Sequence, residues 1–142
     1  MSINTHPSLS PVSTSSEPAS PRPLPIPPEL GPYNQAIKVG DLLFCSGSLG
    51  LEPSTGKLVE GGVEAQATKA LQNLKAIVEA GGSELGKVVK TTVFLQNMDD
   101  FKAVNAIYAE FFGNHKPARS AVQVARLPLD ALFEIEAIVS LS

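Results

Sequence analysis

Past its first thirty residues the chain switches between two hydrophobic rhythms. A period of two marks strands and a period near 3.6 marks helices. Asn34–Val39 and Leu42–Cys45 read as strands joined at a Gly40-Asp41 hairpin turn, with Ser46 and Gly47 closing the second. Leu49–Gly62 is loop-like, with turn chemistry at Pro53–Gly56 and Gly61-Gly62. Val63, Ala67, Ala70, Leu71, Leu74, Ile77 and Val78 then form one apolar stripe, which predicts a helix over Val63–Ala80, ended by Gly81-Gly82. Val88–Leu95 is long and β-branched, as a central strand should be. A second helix is expected over Asp100–Phe112, with Asp99 as its N-cap. It turns Phe101, Val104, Ile107, Tyr108 and Phe111 inward, and Asn105 interrupts that stripe.

Pro117–Ile138 reads as two more strands around a turn at Pro128–Asp130. Val122 and Val124 alternate with Arg119, Ala121 and Gln123. In the second strand, about Leu132–Val139, Ile135, Ala137 and Val139 share one face, and Glu134 and Glu136 take the other. A simple hairpin about Arg126–Ala131 pairs Glu134 with Gln123 and leaves Arg119 and Glu134 roughly 13 Å apart along the sheet. Charges inside strands are unfavourable unless that face is wet, paired or used.

The order of elements predicts an α+β domain: a mixed β-sheet with two helices packed on one face. Two helices cover one face only. The face expected to carry Arg119, Gln123, Glu134 and Glu136 must then meet water or another subunit.

Residues 1–28 are a different material. They hold eight of the twelve prolines and seven serines, with Glu17 and Arg22 as the acid and the base. Such a segment buries too little apolar surface to offset its ordering entropy, which predicts a disordered or polyproline-like tail followed by one domain, 29–142. One arginine among eight prolines argues against a mitochondrial transit peptide, and the N-terminus lacks the layout of a secretory signal, so a cytoplasmic location is expected.

Composition narrows the function classes. A net charge of −3 argues against a nucleic-acid-binding surface, and no apolar run approaches the roughly 18 residues that span a membrane. The single cysteine, Cys45, cannot form an intrachain disulfide and reads as a small buried hydrophobe. Only His6 and His115 are present, so no metal cluster is expected, and no nucleotide-binding glycine motif occurs.

The run P-A-R-S at Pro117–Ser120, with A-R-L-P at Ala125–Pro128 and E-I-E-A-I at Glu134–Ile138, is similar to the C-terminal signature of the reactive-intermediate deaminase family (Rid, or YjgF-type). G-P-Y at Gly31–Tyr33, C-S-G at Cys45–Gly47, V-V-K-T-T-V-F-L at Val88–Leu95 and V-N-A-I-Y at Val104–Tyr108 extend the resemblance over roughly residues 30–140. The H-K-P-A-R-S wording looks most like fungal members. The resemblance implies a chorismate-mutase-like subunit and a homotrimer with active sites between subunits. It also implies cofactor-free hydrolysis of 2-imino acids (2-iminobutanoate, 2-iminopropanoate) to 2-oxo acids and ammonia. It assigns Arg119 to the substrate carboxylate and Glu134 to the water, and sets Tyr33, Ser46, Gly47, Asn105 and Ala121 around the substrate. Family members often carry Cys where this chain has Ala121, so a thiol nucleophile is absent there and the chemistry runs through water. The alternative reading is a non-enzymatic trimer that binds small carboxylates or acts as a chaperone or regulator. Ribonuclease, an older label for the family, fits the acidic balance and the lack of a histidine pair poorly.

Overall fold

The computed structural model describes residues 2–4, 12–13, 26–29, 31 and 33–142. Its strands are β1 (Ser2–Asn4), β2 (Val12–Ser13), β3 (Ala36–Val39), β4 (Leu42–Leu49), β5 (Val88–Leu95), β6 (Ala118–Gln123) and β7 (Phe133–Ser140). Helix α1 spans Gly62–Ala80 and α2 spans Phe101–Phe112. The strands form one mixed sheet in the order β2-β1-β3-β4-β7-β5-β6. Most of the tail expected over residues 1–28 lies outside the described residues; β1 and β2 sit at the β3 edge of the sheet.

Period-2 alternation delivers the core as expected. Phe133, Ile135, Ala137 and Val139 of β7 are buried beside Val93 and Leu95 of β5 and Leu43 and Cys45 of β4. The α1 stripe of Ala67, Ala70, Leu71, Leu74, Ile77 and Val78 closes over them, with Val104, Tyr108 and Phe112 of α2 alongside. The fold is α+β, with both helices on this face. Gly81 lets α1 end tight against the sheet, since a Cβ there would meet a Leu43 methyl. Two polar side chains on α1 are buried for a reason the stripe did not reveal. Asn73 Nδ2 donates to the carbonyls of Leu49 (3.0 Å) and Leu51 (2.9 Å), and Gln66 Oε1 accepts from Leu132 N–H (2.8 Å), so both pin loops to the helix.

Three expectations are corrected. First, β4 does not stop at Ser46-Gly47. It bulges between Cys45 and Ser48 and runs on to Leu49, with Ser46 N–H donating to Gln35 O (2.9 Å). Second, Asp99 is not the N-cap of α2. Asn97 caps the preceding turn by accepting from Asp99 N–H (2.9 Å), and Asp100 precedes the helix without a side-chain cap bond. Third, β6 and β7 are not a hairpin. β6 pairs in parallel with β5 after the α2 crossover, and β7 lies between β4 and β5, so Glu134 stands opposite Phe94 and not Gln123. The link between β6 and β7 turns through Leu129 and Asp130, both at positive φ (59° and 56°), which carries the chain over to the far side of β5.

That strand order splits the face once expected to carry four polar residues. Arg119 is in register with Thr91, which is wholly buried on the helix side, and Gln123 with buried Leu95. Glu134 and Glu136 lie on the opposite face, with Phe94 and Thr92. That outer face also exposes Leu42, Phe44 and Val122.

Candidate functional site

Two clefts collect the chemistry-bearing side chains. The first, about 370 Å³, opens where the β4 bulge meets β7, and Tyr33, Ser46, Gly47 and Glu134 line it. The bulge makes room for the carboxylate. A Cβ on Gly47 would come within 2.5 Å of Glu134 Oε2 and 2.7 Å of its Cδ, so the side chain lies directly across the glycine. Ser46 Oγ donates to Asn34 O at 2.6 Å. Burial holds the half-buried Glu134 carboxyl above the usual glutamate range, and the neighbouring Glu136 charge adds to the rise.

Sequence reasoning missed the rest of this wall. Pro27 is buried there, its carbonyl accepting from Gln35 Nε2, and Pro128 closes the far rim. Gln35 Oε1 and Ser48 Oγ are buried with no partner among the described residues. The available signal was the position of Gln35, two residues beyond Tyr33.

The second cleft, about 540 Å³, lies under α2 and is lined by Asn105, Tyr108, His115, Lys116 and Arg119. Arg119 Nη1 donates to Asn105 Oδ1 at 2.6 Å. Its guanidinium carbon sits 4.8 Å from the centroid of the Tyr108 ring and 5.4 Å from that of Phe101. The Tyr108 hydroxyl is tied to Thr91 Oγ1 at 2.7 Å, and burial raises its pKa against the smaller opposing effects of that bond and of Arg119, so the phenol stays neutral. His115 Nε2 donates to Val88 O at 2.6 Å. The Arg119 Nε and Nη2 donors take no partner among the described residues. That pair is the edge of a guanidinium that grips a carboxylate side-on.

The structure therefore brings Tyr33, Ser46, Gly47 and Glu134 together, and Arg119 with Asn105, but keeps the two groups apart. Ala121 lines neither cleft; it pairs with Val93 and packs partly on the core. Two strand spacings and three residues separate Arg119 from Glu134, about 14 Å between backbones, and the side chains leave opposite faces. One small molecule cannot touch both within a single chain. Cys45 is 4% exposed and burial pushes its thiol up to about 12, so it is no nucleophile. No three His, Cys, Asp or Glu side chains gather to hold a metal, and no helix is long and apolar enough to cross a membrane, among the described residues.

Known proteins are similar to this chain in sequence and in fold. The family described as Endoribonuclease L-PSP matches residues 26–141. A RutC family protein of Pyrococcus horikoshii is 52% identical over 112 residues, covering 79% of this chain and 89% of the relative. The 2-iminobutanoate/2-iminopropanoate deaminase of Escherichia coli K12 is 50% identical over 115 residues, covering 79% and 89%. Among solved structures, E. coli TdcF with bound serine is 43% identical with a TM-score of 0.78, covering 81% of this chain and 94% of its own. On the family match and these identities, the chain belongs to the Endoribonuclease L-PSP family, the YjgF/RutC group that includes the Rid deaminases.

Proposed function

We propose that this protein hydrolyses small 2-imino acids to 2-oxo acids and ammonia, in sites completed between copies of the chain arranged as a trimer. The observation that carries the reading is the division of the site: a free guanidinium edge on one face of the subunit and a desolvated carboxylate on the other. A second copy joins them. The outer sheet face, with Leu42, Phe44 and Val122 exposed, supplies apolar surface for such an association. Two of the relatives support the reading, one named an imine deaminase and one solved with bound serine, whose carboxylate is the kind of group Arg119 is suited to hold.

The chemistry asks little of the protein. Arg119 grips the substrate carboxylate. Glu134 takes a proton from a water as its oxygen adds to the imine carbon. That proton passes to the nitrogen, giving a tetrahedral amino alcohol. The new hydroxyl then gives its proton, by way of Glu134, to the same nitrogen, the C–N bond breaks as the C=O forms, and ammonia leaves the 2-oxo acid. A carboxyl raised towards the working pH is a better base than an ordinary glutamate. Asn105 steadies Arg119, and Tyr33, Ser46 and Gly47 shape the wall beside Glu134.

A binding module for small carboxylates is the second reading, favoured by the serine-bound relative. Glu134 separates the two, because a carboxylate beside an anionic ligand hinders simple binding and serves water activation. The test is turnover of imines generated in situ by an amino-acid oxidase, with oligomeric state followed by light scattering. Imine hydrolysis by a trimer is expected. A monomer at micromolar concentration that still hydrolyses imines refutes the shared site.

A further inference from the structure

Helix α2 presents Phe101, Asn105 and Tyr108 at i, i+4 and i+7, one face of a helix, and all three meet Arg119. The two ring faces lie against the guanidinium and the amide takes one of its protons. Tyr108 is itself fixed, its hydroxyl bonded to Thr91, the residue in register with Arg119 on the neighbouring strand. The tether runs from β5 through the ring to the guanidinium on β6.

We propose that Phe101 and Tyr108 are positioning residues for carboxylate recognition. Their ring faces hold the Arg119 guanidinium in one plane, so that its Nε–Nη2 edge is already oriented when the ligand arrives. This rests on Arg119 being the carboxylate grip of the function proposed above. An arginine stem left loose would lose rotamer freedom on binding; a stem already lying on two rings loses less. Attraction between the cation and the rings strengthens as water is excluded, and Tyr108 is 8% exposed. The rings act through Arg119, and Phe101 is not part of the lining of the second cleft, which separates its role from that of a binding wall.

The test is a double-mutant cycle on the full-length protein, read by calorimetric binding of 2-oxobutanoate and by the KM and kcat of imine hydrolysis. Phe101→Leu and Tyr108→Leu are expected to weaken 2-oxobutanoate binding roughly 3- to 20-fold, with KM moving more than kcat. Tyr108→Phe keeps the ring face and is expected to stay within about twofold. In an Arg119→Lys background, which has no plane to hold, the same ring replacements are expected to add less than about twofold. Equal losses in both backgrounds overturn the proposal, as does a Tyr108→Phe defect as large as that of Tyr108→Leu. If Tyr108→Leu fails to fold, Phe101→Leu carries the cycle. A wild type that binds 2-oxobutanoate but turns over no imine ends the hydrolase reading while the binding cycle still decides this one. A wild type that binds no 2-oxobutanoate overturns the positioning role as well.

Discussion

Replacing Gly47 with alanine isolates the placement of one carboxylate. The added methyl would meet Glu134 Oε2 at 2.5 Å, Cδ at 2.7 Å and Cγ at 3.0 Å, its three nearest neighbours, all in one side chain. Restoring an ordinary contact of 3.4 Å moves the oxygen by about 0.9 Å, the difference of the two distances. The end of a glutamate side chain can make that move, so the chain should fold. Gly47 is not among the glycines at positive φ, so alanine suits its backbone and gains roughly 0.4–1 kcal/mol from the unfolded chain. That offsets part of the cost of displacing the carboxylate, and Tm should move by less than about 5 °C. Activity should not be spared. Displacing a catalytic group by about 1 Å costs on the order of a hundredfold, so kcat for in situ generated imines should fall by about that factor, with calorimetry and light scattering unchanged. Near-full kcat would show that the carboxylate does not work from this position. A comparable loss accompanied by a large drop in Tm would show that the glycine serves the fold instead.

Arg119→Lys keeps the charge and loses the fork, so kcat/KM should fall roughly tenfold to a hundredfold, the worth of about one charge-assisted bond at 1.5–3 kcal/mol; full retention would count against a side-on grip. Glu134 must be ionised to accept a proton, so activity should fall as pH drops through its raised pKa, with an acid limb above the usual glutamate range. Glu136→Gln removes the second cause of the rise and should move that limb to lower pH in a kcat/KM profile. The folded chain also holds this proton after the unfolded chain has released it, so this group's contribution to stability falls as pH rises from the usual glutamate pKa to the raised one. Denaturant titrations should show Glu134→Gln free of that dependence. Removing residues 1–24 should leave Tm within a few degrees, whereas extending the deletion through Pro28 should cost about 1–2 kcal/mol, because Ile26 packs on the core and Pro27 accepts from Gln35.

The helices and the faces of β7 were legible because their patterns are self-sufficient. A stripe such as Ala67-Ala70-Leu71-Leu74-Ile77-Val78 has one side to bury whatever it meets, and Ile135, Ala137 and Val139 must go where Glu134 and Glu136 do not. Strand order is another kind of information. Nothing in Ala118–Gln123 says whether its neighbour is β5 or β7, and proximity in sequence favoured the wrong one. The error mattered because parallel pairing beside β5 carries Arg119 to the helix side. The rings against Arg119 were read correctly as inward-facing, but a pattern of apolar positions cannot tell a core contact from a contact with a cation. Asn105, the polar break in that stripe, was the clue, and the α2 face it shares with Phe101 and Tyr108 makes sense only once β6 lies below it.

The opposed faces of Arg119 and Glu134 also fix a stoichiometry. Each chain carries one of each half-site and, on the reading proposed here, completes neither alone. Working sites are then counted by contacts between copies and not by chains. A head-to-tail row of n subunits has n − 1 sites and strands one half at each end. A closed ring has n sites and strands none. Every contact adds one site by this count, so what closure gains is a site without recruiting another chain, and the ring alone has as many sites as chains.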